Sequence, residues 1–351
     1  MIKTKKCANT KTSIGLLVLL FILFEIIFTA ITGPFLIYYG PFKKVKTTVV
    51  GAAMTTTSLQ WLATSFLSDE KIKQIMSQQK VEHIVQDNLN DANSDIKIEA
   101  KNDTSIERYV IRAKRFKGSI LVINDPTRLK VGYSRKLGHE GEVTSEIAKN
   151  NSAIAAINGG GFSDGVPGSL WTGTGANPEG IIMTGGKIIY NDITNENEKG
   201  NVVGLTKSGK LLVGPHSIKD MKKIGVTEAV SFGPAIIVNG KKTINSGDGG
   251  WGIAPRTAIA QRKDGAIILI VIDGRQLNSL GATLREVQDE LYKFGAYNAA
   301  NLDGGSSSTL YYNDEVINTP CDSLGERSVP SIIYVKRKTI THTKLYQHIE
   351  K

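Results

Sequence analysis

The chain has 351 residues, enough for one large domain or two small ones, and its 40% hydrophobic and 22% charged residues are ordinary for a globular protein. The formal charge of +10 is uneven: residues 1–46 hold seven lysines against Glu25 alone, so +6 lies there and +4 is left for the remainder. No arginine-rich face interleaved with aromatics exists, which speaks against a nucleic-acid partner. The two cysteines, Cys7 and Cys321, and five scattered histidines offer neither a disulfide framework nor a Cys/His zinc pattern.

Residues 14–31 read "IGLLVLLFILFEIIFTAI". About 20 such residues in a helix match a bilayer core of about 30 Å. Glu25 costs on the order of 2–3 kcal/mol at mid-span, which fourteen Leu, Ile, Val or Phe residues outweigh. The segment is long for a cleaved signal peptide and no A-x-A follows it, so residues 1–40 are expected to form a short cytoplasmic tip and a transmembrane anchor contacting the membrane through 14–32. Gly33-Pro34 is expected to interrupt the helix. The slightly larger lysine cluster before the segment favours an inside N-terminus and an outside body.

Residues 41–95 are expected to form a juxtamembrane stalk. Within it, Ser68-Asp69-Glu70 reads as a helix start leading into "KIKQIMSQQ", and 86–95 reads as a polar linker. From residue 96 strands dominate, in keeping with 36 glycines and only 10 prolines. "SIERYVIRAK" and "GSILVIND" predict two strands, and "GEVTSEIAKNN" a short helix before the buried strand "AIAAIN". Hairpin turns are predicted at Gly185-Gly186, Ser208-Gly209, Asn239-Gly240 and Asp264-Gly265. "TLREVQDELYKFG" predicts the clearest helix: Thr283 and Glu286 fit a capping box, Gly295 fits the stop, and Leu284, Val287, Leu291 and Phe294 share one face. Hairpins with a few helices and no regular β-α alternation predict an α+β domain over 96–337, a mixed, largely antiparallel sheet with a few packed helices, after one N-terminal transmembrane helix. Residues 338–351 are left as a basic tail.

Three apolar strands end alike: "AIAAIN" at Asn158-Gly159, "AIILIVID" at Asp273-Gly274 and "AANLD" at Asp303-Gly304. A polar residue at the end of a buried strand is held rigidly, and the glycine after it permits a sharp turn or close ligand approach. Asp or Asn before Gly is also an ordinary turn. Arg256 in "PRTAIA", Arg275 after Asp273, and Arg327 before the last strand are natural partners for a phosphate, because a guanidinium binds two oxygens at once. Tests for a phosphate loop, a dinucleotide fingerprint, a serine nucleophile elbow and calcium-loop spacing all fail.

The blocks "AAINGGGF", "PRTAIA", "VIDGRQ", "GATLREVQDELYKFGAYNAANLDGGSSSTLYYN" and "ERSVPSIIYV" occur in an order that resembles the phosphodiester glycosidase family, over about residues 105–337. "NLDGGSSSTL" with the helix before it is the most specific part. The resemblance implies an enzyme, with 96–337 its hydrolase domain, acting on the C1–O bond of a sugar-1-phosphodiester. The anchor resembles that of bacterial members described as exopolysaccharide biosynthesis proteins, which implies a sugar-phosphate polymer or glycoconjugate substrate in the cell envelope.

For that reaction Asp303 is expected to act as acid/base or nucleophile with Asp273 as its partner, and Arg256 and Arg327 to meet the phosphate. Asn158, Gly159, Arg256, Arg275, Gly304, Gly305, Ser306, Ser307 and Arg327 are then the substrate-binding set. No metal ligands are expected and no cofactor is required; a divalent cation such as calcium remains compatible. "NGGGF" departs from the "NGDFF" or "NGSFF" of many relatives. That departure keeps open a non-catalytic, polysaccharide-binding module with a degenerate site, and a metal-dependent phosphodiesterase cutting P–O is a third alternative.

Overall fold

The computed structural model describes residues 14–55, 59–78, 81–86, 95–99, 102–163 and 174–338. The expected cytoplasmic tip, Cys7 and nearly all of the basic tail lie outside them. The chain divides into two compact units, 1–77 and 78–351.

The first unit is helical. Helix α1 (Ile14–Tyr39) is long and apolar enough to cross a membrane. It runs through Gly33-Pro34 instead of stopping there. Proline removes one N–H and one hydrogen bond, and here the turns beyond it are held by packing. Tyr38 stacks on Phe66 at 5.0 Å, Phe35 meets the same ring edge-on at 6.0 Å, and the Tyr39 hydroxyl donates to the Phe66 carbonyl at 2.5 Å. Helices α2 (Lys43–Met54), α3 (Trp61–Thr64) and α4 (Asp69–Ser77) complete this unit around Val50, Ala53, Ala63, Ile72 and Ile75. The start of α4 follows the sequence reading: Ser68 Oγ accepts the Lys71 N–H at 3.4 Å, and Asp69 and Glu70 occupy its first turn.

The second unit is a stack of antiparallel sheets. One has seven strands, in the spatial order 106–112, 117–123, 267–272, 256–262, 296–302, 235–238 and 241–242, and two have five strands each. Every ladder between its named strands is antiparallel among the described residues. The fold class is therefore α+β, as the hairpin-rich sequence implies.

The run "IILIVI" is continuous rather than alternating because its sheet is covered on both faces. Ile267, Leu269 and Val271 enter the core shared with the five-stranded sheets, while Ile268, Ile270 and Ile272 enter a second core under a helix. That helix is α7 (Leu284–Lys293), which follows α5 (Thr144–Asn150) and α6 (Ile218–Ile224). The α7 capping box is complete in both directions between Thr283 and Glu286. Helix α6 carries a second capping box, between Ser217 and Asp220.

Residues 81–86, expected in the stalk, fasten to the second unit. The Gln86 side chain donates to Leu211 O and accepts from Val213 N–H, each at 2.8 Å, so one amide imitates a strand neighbour on the exposed edge of a five-stranded sheet. Ile96 is also buried. The boundary between units falls upstream of residue 81, because Val81 and Ile84 pack against the cores of the second unit and Gln86 pairs with its edge strand.

Beside α6, burial pushes the His216 imidazole below its ordinary value of 6.5, with the Lys199 charge adding and the Val213 carbonyl and Asp220 opposing. A base depressed in the folded state leaves stability intact above the unfolded value and erodes it as pH falls from there through the folded value. Thermal unfolding between pH 7.5 and 5 is expected to show this slope in the parent chain and a shallower one in His216→Gln; parallel curves would contradict it.

Candidate active site

Strand topology gathers the three polar strand ends. The 256–262 strand lies between 267–272 and 296–302 and runs opposite to both, pairing Arg256 with Ile272 and Thr257 with Leu302. Its beginning therefore faces the ends of both neighbours, and Arg256, Asp273 and Asp303 emerge along one edge. The 153–158 strand belongs to a five-stranded sheet, yet its end arrives at the same place. The Asp303 N–H donates to Gly159 O at 3.3 Å.

Asn158 is the joint between these sheets. It is fully buried: its Nδ2 donates to Asp303 O at 2.7 Å, and its Oδ1 accepts from Thr257 Oγ1 at 2.8 Å and from Thr309 N–H at 3.2 Å. With both amide atoms occupied by protein, Asn158 holds Asp303 in position rather than reaching a ligand. Asp303 itself is half-buried, and its Oδ1 accepts the Gly304 N–H at 2.9 Å.

The loop after Asp303 is shaped by close approaches. A β-carbon on Gly304 would lie 2.9 Å from Pro255 O, tighter than real side chains tolerate, and Gly305 has φ +62. Gly305 N–H donates to Pro255 O at 3.0 Å, pinning the loop to the residue before Arg256. Two arginines close on it. The Arg275 guanidinium would touch a β-carbon on Gly305, with Nη2 at 3.4 Å, and Arg327 Nη1 donates to Ser306 Oγ at 3.0 Å. Arg327 also lies over the Phe162 ring at 5.1 Å. Arg275 is exposed and itself sits at φ +57. Asp303, two guanidinium groups and the Gly304–Ser307 backbone thus form one cluster.

Two expected residues are held by contacts within the protein. Arg256 is 3% exposed; Nε donates to Ala282 O, and Nη2 to Trp251 O and Gly252 O at 2.8 and 2.7 Å. Burial, reinforced by the Arg275 charge and opposed by Asp248, pushes its guanidinium down to about 10. This buried cation ties the 251–256 loop to residue 282.

Asp273 is likewise buried. Its Oδ1 accepts from Asn318 Nδ2 at 3.2 Å and Thr319 N–H at 2.9 Å, and Oδ2 faces Lys117 Nζ at 3.9 Å. Two strand spacings, roughly 10 Å, separate its backbone from that of Asp303 in the sheet. The Asp273 carboxylate also steadies the 318–319 segment, whose Asn318 donates to Ser308 O at 3.0 Å behind the loop.

Residues unseen from sequence also surround the cluster. The Glu179 N–H donates to Gly161 O at 2.9 Å, and its Oε2 would lie 3.5 Å from a β-carbon on Gly161, while Phe232 packs edge-on to Trp251 at 5.8 Å. A single acid in a polar stretch carries no sequence signal of its own; only the hairpin pairing Phe162 with Pro178 brings it here. The Ser308 and Thr309 hydroxyls are buried without a hydrogen-bond partner among the described residues. Among those residues no group of three or more His, Cys, Asp or Glu side chains is placed to hold a metal.

Residues 151–336 match the family model for phosphodiester glycosidases. Over 75 residues, 21% of this chain, the sequence is 41% identical to an SPbeta prophage-derived uncharacterized protein, YomE, of Bacillus subtilis. Over 70 residues, 20% of this chain, it is 37% identical to the Bos taurus N-acetylglucosamine-1-phosphodiester alpha-N-acetylglucosaminidase. These matches span only 12% and 13% of the two relatives. The catalytic domain of the zebrafish N-acetylglucosamine-1-phosphodiester alpha-N-acetylglucosaminidase, auto-inhibited by its pro-peptide, shares the fold: 22% identity, a TM-score of 0.57, and coverage of 69% of this chain and 87% of that one.

Proposed function

The chain belongs to the phosphodiester glycosidase family, and from that premise we propose that it hydrolyses a sugar-1-phosphodiester at the glycosidic C1–O bond, releasing the sugar and leaving a phosphomonoester. The observation that carries the reading is the convergence of Asp303 with Arg275 and Arg327 on one loop. The phosphate monoester expelled from C1 is already a good leaving group, so its departure needs cationic contact more than a strong general acid. Arg275 and Arg327 supply that contact, with the Gly304–Ser307 backbone and the Ser306 hydroxyl beside them. The oxocarbenium-like transition state is cationic, and Asp303 is the carboxylate placed to steady it and to attack C1 or deprotonate water. Asn158, Arg256 and Asp273 are positioning residues for this cluster.

The substrate is assigned to a cell-envelope glycan or exopolysaccharide. The supporting feature is α1, read as an uncleaved membrane anchor that leaves the second unit on the outer face.

Incubation of the full chain with a sugar-1-phosphodiester in ¹⁸O-water tests the reaction. Label is expected in the released sugar; label in the phosphate would overturn C1–O cleavage. Arg275→Ala and Arg327→Ala are each expected to lower kcat/KM by about tenfold to a hundredfold, the cost of one charge-assisted contact. Unchanged values in both would remove the arginines from phosphate recognition.

A further inference from the structure

The two loops that carry the cluster arginines also carry leucines with no place in the core. Leu277 is 107% exposed and Leu324 94%. Leu277 sits at the tip of a turn in which Gln276 N–H donates to Ser279 O and Ser279 N–H to Gln276 O, two residues from Arg275. Leu324 sits in a turn closed by Gly325 N–H on Asp322 O, three residues from Arg327. The loops are joined, since Gln276 Nε2 donates to Thr319 O at 2.8 Å. Their other tip residues, Asn278, Ser323 and Asp322, are polar, while Leu280 after the first turn is a further exposed leucine at 53%. An isolated exposed leucine needs no explanation. Two nearly naked ones, each within three residues of an arginine beside the same loop, do.

The chemistry of a sugar-1-phosphodiester is linear: sugar, phosphate, aglycone. If Asp303 faces C1 and the arginines hold the phosphate, the aglycone leaves on the side of the arginine loops, where Leu277 and Leu324 stand. We propose that these two leucines form an apolar lip that selects phosphodiesters whose aglycone carries an alkyl or prenyl chain, so that the substrate class is a lipid-linked sugar 1-phosphate. The proposal rests on the glycosidase reading above and names its substrate class. Water adds across the C1–O bond, giving the free sugar and a lipid phosphate monoester, with no further reactant. The arginine charges meet the phosphate while the leucines cover the first carbons of the chain.

The test compares two diesters of N-acetylglucosamine 1-phosphate, hexyl and methyl, with the full chain in nanodiscs. The wild type is expected to favour hexyl in kcat/KM by about tenfold or more, the scale of partly burying two leucines. Leu277→Ser/Leu324→Ser is expected to bring the ratio near one with the methyl value unchanged. The same ratio in both proteins, or an equal fall for both diesters, would overturn the lip. A preference present in nanodiscs and lost in amphipol would mean that the leucines meet the bilayer instead, which also overturns it.

Binding of the matching non-hydrolysable phosphonates separates this idea from its premise. Chain-dependent binding that the double variant abolishes, without turnover of either diester, would keep the lip and remove the hydrolase. Turnover of both diesters with no chain preference would do the reverse, and neither turnover nor preferential binding would remove both.

Discussion

Replacing Asp303 with asparagine is expected to lower kcat by about a thousandfold and to leave the fold intact. Positioned proton transfer contributes about 10²–10⁴-fold, and no other carboxylate of the three strand ends stands in the cluster. The substitution is nearly isosteric. The contacts that fix residue 303, its N–H on Gly159 O and its carbonyl under Asn158 Nδ2, are backbone contacts that survive it. The side-chain bond from Gly304 N–H also survives, because an amide oxygen accepts as a carboxylate oxygen does. Unfolding midpoint and kcat should therefore separate, the first unmoved and the second collapsed. Full activity in a folded Asp303→Asn chain would remove Asp303 from the chemistry. Loss of both together would make it a structural residue.

The contrast with Asn158 shows what sequence can and cannot reveal about such a cluster. Both residues end apolar strands before glycine and look alike in the chain. Three-dimensional pairing decides that one is half-exposed beside two arginines and the other is sealed between sheets. Arg256 shows the same limit. Its position ahead of a strand is local information, but its burial comes from carbonyls at 251, 252 and 282 that only the folded loops deliver.

The local features were readable because their causes are local. The turns at Gly185-Gly186, Asn239-Gly240 and Gly265 all show the positive φ that their residues suggest. The two ends of α7 follow from a capping box and Gly295 at φ +83. Where a cause is distant, as with Gln86 clasping an edge strand 125 residues away, composition points to a polar linker and misses the attachment.

Glu228→Ala is expected to destabilise the second unit by about 2–4 kcal/mol, the cost of leaving buried donors unmet and a cavity behind. Glu228 is 1% exposed on the 226–231 strand. Its Oε1 accepts from Lys130 Nζ at 3.0 Å and Gly185 N–H at 3.1 Å. Its Oε2 accepts from Val131 N–H at 3.1 Å and Thr184 Oγ1 at 2.9 Å. One carboxylate therefore ties the strand holding Val131 to a different sheet, and its loss strands the buried Val131 N–H and leaves the Thr184 hydroxyl without its carboxylate.

Glutamine should not rescue Glu228, because its NH₂ group would face a donor where an acceptor is required. The ion pair itself is the lesser part: Lys130→Met leaves the buried carboxylate without its cation but with its N–H and hydroxyl donors, so it is expected to cost about 1–2 kcal/mol, less than Glu228→Ala. Denaturant unfolding of the three variants measures this asymmetry. Equal losses for Lys130→Met and Glu228→Ala would show that charge pairing, rather than the satisfaction of buried donors, holds the two sheets together.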